Sequence, residues 1–241
     1  MKKKISKLLV MLCVTGIAVT NPKVAHAAND TFVISQYSES FAPTEDKNAT
    51  LSIEMTTTTC EDGLVYIPQN VKDSELISAS VNGEEITGEL TSIGSVSYFV
   101  LDAGAPETEV SVEAEVNCPG FYDIENDDPD TGIPTPKMNY KFVNKTSNKI
   151  DSYKLSITLP EGLEPMSVTT PSDVTKYTLG MNEEGQRTLS LTSSVDVAGN
   201  SSFVFTFGTP FINSTISKVV LWVIVVGASA YVLKNRLGDE K

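Results

Sequence analysis

The chain has 241 residues, a formal net charge of −13 and 40% hydrophobic residues. An acidic balance of this size argues against nucleic acid as a partner, because like charges repel the phosphate backbone. Its one histidine, His26, lies in a segment that we expect to be removed, which argues against Ser-His-Asp or Cys-His catalysis and against zinc sites with histidine ligands.

Residues 1–27 predict a secretory signal peptide. Lysines at the start precede an apolar run over residues 8–19, and Ala25-His26-Ala27 provides a small-x-small cleavage site. We expect the mature chain to begin at Ala28 and, because five lysines leave with the signal, to carry a net charge of −18. The basic signal and its length are typical of bacteria.

Short segments with period-two alternation follow from residue 31 onward. In residues 108–116, Val110, Val112, Ala114 and Val116 would face one way, while polar residues between them would face solvent. Asn82-Gly83 predicts a tight hairpin turn. Short strands at this spacing favour a β-sandwich over residues 28–122. The candidate strands are 31–37, 50–56, 63–67, 76–81, 96–101 and 108–116.

Two cysteines, Cys60 and Cys118, remain after removal of the signal, and each follows a candidate strand. In an exported chain, the natural prediction for such a pair is a disulfide that joins two strand ends. Two free thiols are the alternative, because sequence alone does not give the distance between them.

Residues 121–136 are rich in Asp, Pro and Gly, and we place a linker over residues 123–137. Alternate carboxylates in an irregular loop form a candidate Ca²⁺ site. The EF-hand pattern fails, because an aspartate stands where the turn requires glycine, so the site would be a clip that stiffens the linker. A solvated acidic linker is the alternative, and we expect no other cofactor. The candidate ligands are Asp123, Glu125, Asp127, Asp128 and Asp130.

Period-two strands resume after the linker, at 137–144, 151–159, 174–179, 187–192 and 201–207. A strand ending in Val143-Asn144, the run Tyr-Lys-Leu-Ser-Ile-Thr-Leu-Pro-Glu-Gly over residues 153–162, and Gly199-Asn200 before a final strand form a recognisable layout. Over residues 138–208 this layout resembles bacterial and archaeal cell-surface repeats of the DUF11/CARDB kind. The resemblance implies an Ig-like sandwich that serves as a spacer or adhesive module, and it implies no catalytic residue.

Charge is distributed unevenly between the two halves. Residues 28–136 carry a net charge of −20, and residues 137–218 carry +1. Such a field favours a basic protein or a cationic ligand as the partner of the first half. The alternative is that the charge serves solubility only.

Residues 219–233 form an uncharged apolar run near the C-terminus. The run predicts a transmembrane helix over residues 216–234 and a cytoplasmic tail over 235–241, with the lipid bilayer as a partner. The protein would be a single-pass type I protein of the cell membrane with an extracellular ectodomain. The residues expected at the two interfaces are Lys218, Trp222, Tyr231, Lys234 and Arg236.

The predicted fold class is all-β, with two tandem Ig-like β-sandwich domains over 28–122 and 138–210 and one C-terminal transmembrane helix. The predicted function is a non-enzymatic cell-surface protein, an adhesive or ligand-interaction module on a membrane-anchored spacer. One alternative is an accessory or assembly subunit of a membrane protein complex. The other is a glycan hydrolase that uses paired carboxylates.

Overall fold

The computed structural model describes residues 33–44, 46–125, 135–210 and 215–238, with side chains of the last segment described over 218–231. Besides a single-turn 3₁₀ helix over Val174–Lys176, these residues form fifteen strands and one long helix. They are β1 (Ile34–Pro43), β2 (Ala49–Thr58), β3 (Leu64–Pro68), β4 (Glu75–Val81), β5 (Glu84–Ile86), β6 (Gly88–Ile93), β7 (Val96–Asp102), β8 (Glu109–Cys118), β9 (Asp123–Glu125), β10 (Thr135–Val143), β11 (Ile150–Thr158), β12 (Glu164–Thr170), β13 (Tyr177–Met181), β14 (Arg187–Val195), β15 (Asn200–Gly208) and α1 (Thr215–Gly238).

Eight strands form one large sheet in the order β13-β14-β11-β1-β2-β8-β4-β5. Strand β1 lies in the middle, where it pairs with β2 in the antiparallel sense and with β11 in the parallel sense. In this register Glu39 is opposite Ile53 on one side and Leu155 on the other. The first described strand therefore joins the N-terminal and C-terminal halves of the chain.

Two smaller sheets complete the fold, with the orders β12-β15-β10-β9 and β3-β7-β6. Their inward side chains join those of the large sheet in a single hydrophobic core that contains residues of both halves. Aromatic rings are part of this core, including a stacked Phe41–Phe121 pair with centroids 4.2 Å apart. Gly88 begins β6 where space is short, because a Cβ there would lie 2.5 Å from the Leu76 side chain and 2.6 Å from that of Leu101.

Alternation of apolar and polar residues explains most of the strands. In β8, Val110, Val112, Ala114 and Val116 are buried and the residues between them are exposed, as predicted. The predicted hairpin turn is confirmed, since Asn82 and Gly83 have φ values of 51° and 82° and connect β4 to β5. Periodicity missed β5, β6, β9 and β12, because these strands are short or show little alternation.

The predicted division into two tandem Ig-like sandwiches is wrong. Parallel pairing of β1 with β11 places both halves in one sheet, and local periodicity contains no signal for pairing between strands more than 100 residues apart. The two ends of the predicted linker belong to the four-stranded sheet, where Asp123 of β9 is opposite Lys137 of β10. The signal peptide over 1–27 lies outside the described residues.

Helix α1 contains the apolar run, and its side chains from residue 218 to 231 are exposed. Within the part of the chain that the structure describes, no helix combines the length and apolar character needed to cross a bilayer. The predictions of a transmembrane helix, a bilayer partner and a single-pass membrane location are therefore corrected. An uncharged run of fifteen residues rises only about 22 Å along a helix, whereas the hydrocarbon core is roughly 30 Å thick.

Candidate functional site

The outward face of the large sheet carries a row of carboxylates across neighbouring strands. Glu54 of β2 is directly opposite Glu113 of β8, and Glu113 is opposite Ser80 of β4 on its other side. Glu85 of β5 is opposite Ser80 and ends the row. We call Glu54, Glu113, Ser80 and Glu85 the acidic row. Glu115 lies in the adjacent row, between Ser52 and Ser78.

Two open depressions follow the acidic row. The larger has a volume of about 330 Å³ and is lined by Glu54, Glu85, Glu113 and Glu115 together with serines and alanines. The smaller, of about 130 Å³, lies beside it and reaches Gln36 and Ser38 of β1. Both are open to solvent, and hydroxyl and charged side chains line most of each. Such a surface suits a polar partner that lies flat on the sheet.

The acidic row has little compensating charge. Within residues 33–44, 46–125 and 135–210, no lysine or arginine forms an ion pair with Glu54, Glu85, Glu113 or Glu115. The nearest cation in the register is Lys154 of β11, opposite Ser38, two strands away from Glu54 and so about 10 Å from it. Two unit charges 5.5 Å apart in water repel by about 0.8 kcal/mol, so the Glu54–Glu113 pair carries a small electrostatic cost.

A second carboxylate site lies on the inward face of the same sheet. Glu39 of β1 is 1% exposed. Its Oε2 atom accepts hydrogen bonds from the hydroxyls of Tyr140 on β10 and Tyr153 on β11, both at 2.7 Å. We call Glu39 with Tyr37, Tyr140 and Tyr153 the Glu39 cluster. It connects the large sheet to the four-stranded sheet.

Two buried polar atoms beside Glu39 lack a hydrogen-bond partner. These are the hydroxyl of Tyr37 and Nδ2 of Asn70, which lies in the loop after β3. Both residues are close enough to the Glu39 carboxylate to lower its pKa, yet neither makes a hydrogen bond of good geometry. Buried polar groups are nearly always satisfied in proteins, so these two atoms mark an incompletely paired polar site.

Burial raises the pKa of Glu39 from 4.5 to about 7, because desolvation outweighs the hydrogen bonds from Tyr140 and Tyr153. Burial also raises the pKa values of Tyr37, Tyr140 and Tyr153 well above 10, and the charge of Glu39 adds to that shift. The tyrosines thus remain neutral hydroxyl groups while the carboxyl can gain or lose a proton near neutral pH.

The predicted disulfide between Cys60 and Cys118 is contradicted by the register. Cys118 ends β8 opposite Ala49, whereas Cys60 follows the other end of β2, where Thr58 is opposite Glu109. About 30 Å of strand separates those ends, and a disulfide requires Cα atoms within about 7 Å. Both cysteines are buried. Burial, with a smaller effect of Glu39, raises the pKa of Cys118 to about 12.

The candidate calcium ligands are only partly described. Asp123 is exposed in β9, and Glu125 ends that strand. The other three, Asp127, Asp128 and Asp130, lie outside the described residues. Within the described ranges, no group of three or more His, Cys, Asp or Glu side chains is placed to hold a metal ion. The calcium clip stays a prediction.

The residues predicted at the membrane interfaces all lie in α1. Trp222 and Tyr231 are 68% and 67% exposed, and Lys218 is exposed as well. Lys234 and Arg236 belong to the same helix.

Sequence reasoning missed Glu39. The predicted first strand ends at Tyr37, and the polar run Ser38-Glu39-Ser40 lies just beyond it. The alternation of side chains along a strand contained the missing signal. Tyr37, Glu39 and Phe41 share one face of any strand that spans them, and because both aromatic neighbours favour the core, that face would be the buried one.

The chain is similar to several solved structures at low sequence identity and with TM-scores below 0.5. An M1 zinc metallopeptidase from Deinococcus radiodurans is 10% identical over 76% of this chain and 43% of its own, with a TM-score of 0.45. Native yeast LTA4 hydrolase is 8% identical over 75% of this chain and 32% of its own, with a TM-score of 0.49. A nutrient-binding protein from Legionella pneumophila is 10% identical over 77% of this chain and 70% of its own, with a TM-score of 0.44.

The chain thus spans less than half the length of the peptidase structures. No family model and no curated protein matches it, so the DUF11/CARDB resemblance stays a prediction. Peptidases and a hydrolase are among the similar structures, and the prediction that the chain is not an enzyme is not retained. At these identities and TM-scores, no activity, metal or substrate is carried over from them.

Proposed function

We propose that the chain is an interaction module that binds a basic polypeptide through the acidic row on the outward face of its large sheet. The observation that carries this proposal is the direct opposition of Glu54 and Glu113 without a basic partner among the described residues. An arginine or lysine side chain placed between the two carboxylates would replace a repulsion with two attractive pairs.

The shape of the surface supports a polypeptide rather than a small ligand. The depressions along the acidic row are open, and serines line much of the rest. Short hydroxyl side chains leave the sheet accessible over several strands, which suits an extended basic segment. The net charge of −20 over residues 28–136 would draw such a partner to this half of the chain.

Binding of a synthetic arginine-rich peptide to the full chain, measured by calorimetry at low and high salt, tests the proposal. The variant Glu54→Gln/Glu113→Gln should weaken binding about tenfold at low salt, which corresponds to about 1.4 kcal/mol. The loss should shrink at high salt, where screening weakens every surface charge pair.

The matched control is Glu183→Gln/Glu184→Gln, which removes the same charge from exposed residues between β13 and β14. This control should change the affinity less than twofold. Equal losses for the two variants would mean that the peptide responds to net charge alone, and the acidic row would then have no specific role.

A further inference from the structure

We propose that Glu39 is a proton-binding switch at the junction of the N-terminal and C-terminal halves, in which uptake of a proton removes a buried charge and stabilises the junction, and loss of the proton destabilises it. The proposal concerns the inward face of the large sheet and is independent of the acidic row. Its basis is the geometry of the Glu39 cluster.

Through its hydrogen bonds, the Glu39 carboxyl group contacts both of the sheets that meet at the junction. Glu39 and Tyr153 lie on the parallel pair β1–β11, and Tyr140 lies on the four-stranded sheet. The aromatic ring of Tyr140 also packs against Phe41, with centroids 4.7 Å apart. A change at Glu39 therefore acts on groups from three strands, β1, β10 and β11. Elsewhere at the junction, the Lys145 ammonium donates to the Gln69 carbonyl at 3.1 Å.

The hydrogen bonds fit a carboxyl group that exists in two protonation states. Oε2 of Glu39 accepts from two tyrosines, so a proton would reside on the other oxygen. The hydroxyl of Tyr37 has no partner and can accept from that proton. In the ionised state, by contrast, a full negative charge is buried, and no basic side chain is among the groups that shift its pKa.

The groups that face Glu39 from each neighbouring element do not titrate near neutrality. Tyr37, Tyr140 and Tyr153 have raised pKa values, Cys118 of β8 has a pKa of about 12, and Asn70 has no titratable group. Glu39 is therefore the member of the cluster that changes charge between pH 4 and pH 9.

The sign of the pH dependence follows from the raised pKa. A carboxyl with a pKa of 4.5 when unfolded and about 7 when folded binds its proton more tightly in the folded chain. Its stabilising contribution is complete below about pH 4.5 and decreases as the pH rises from there to about 7. Above about pH 7 the contribution has been lost. Between pH 4.5 and pH 8 the unfolding equilibrium constant should rise about 100-fold from this group.

Urea unfolding of the full chain at pH 5 and pH 8 tests the inference. The wild type should lose stability over this interval, and Glu39→Gln, which stays neutral, should lose much less. Glu54→Gln is the matched control on the outward face and should keep the wild-type dependence. A His26→Gln background removes the one histidine of the sequence, so that imidazole does not contribute.

Hydrogen exchange provides the test of coupling. After correction for intrinsic rates, β10 amides should exchange faster at pH 8 than at pH 5 in the wild type but not in Glu39→Gln. If Glu39→Gln does not fold, ¹³C NMR of glutamate-labelled wild type decides, and one carboxyl should titrate near pH 7. The inference is overturned if every carboxyl titrates below about pH 5.5, or if Glu39→Gln retains the wild-type pH dependence.

Discussion

Glu39 and Glu54 lie on adjacent strands of one sheet, yet they occupy opposite chemical environments. Ser38 is the residue opposite Glu54 in the register, so a single step along β1 separates the outward row from Glu39. The outward carboxylate faces water and a second carboxylate, whereas the inward one faces two tyrosine hydroxyls. Strand parity alone thus decides whether a glutamate contributes surface charge or a buried proton site.

Truncation of each glutamate to alanine should separate the two sites most clearly. At pH 5, Glu39→Ala should lower the free energy of unfolding by about 3 kcal/mol, because it leaves a cavity and two buried tyrosine hydroxyls without an acceptor. Glu54→Ala should change it by less than about 0.5 kcal/mol, as is usual for exposed positions. Urea denaturation measures both, and equal losses would remove the distinction between the two faces.

Removal of one tyrosine hydroxyl should sharpen the comparison further. Tyr140→Phe keeps the ring beside Phe41 but deletes a donor to Glu39. Because hydrogen bonds to charged groups are the stronger ones, the loss should be about 2 kcal/mol at pH 8 and about 1 kcal/mol at pH 5.

The control for that variant is Tyr122→Phe, which deletes a hydroxyl that donates to the backbone carbonyl of Thr44. A carbonyl does not titrate, so this loss should be the same at both pH values. If Tyr140→Phe behaved like the control, Glu39 would hold one protonation state across the interval.

Much of the strand pattern could be predicted, and the reason is visible in β8. There, valine and alanine alternate with polar residues, so burial and periodicity agree. The arrangement of strands could not be predicted, because the β1–β11 pair is parallel and distant in sequence. The Glu39 site depends on that pair, since Tyr153 reaches Glu39 only when β11 lies beside β1. The acidic row likewise depends on the register of β2 with β8, although the excess of acid in this half was evident from composition.

Neutralising one member of the acidic row should raise the free energy of unfolding slightly, whereas Glu39→Ala and Tyr140→Phe should lower it. Glu54→Gln removes the repulsion from Glu113 and should stabilise the fold by about 0.5 kcal/mol at low ionic strength. The gain should vanish near 1 M salt, where the Debye length is about 3 Å. Glu75→Gln is the control, because Glu75 is opposite the neutral Asn117. An equal gain in the control would point to net charge instead of the cross-strand pair.

A reducing agent should have the smallest effect, because the two cysteines that the structure describes lie at opposite ends of the β2–β8 ladder. The midpoint of urea unfolding should be the same with and without reductant. In the folded chain at pH 8, Cys118 should resist alkylation, since burial and the charge of Glu39 keep its thiol protonated. Unfolding without reductant should then make both Cys60 and Cys118 reactive, as read by mass spectrometry. A cross-linked peptide that contains both cysteines would contradict the register of β2 with β8, and with it the placement of Glu54 opposite Glu113 on which the acidic row depends.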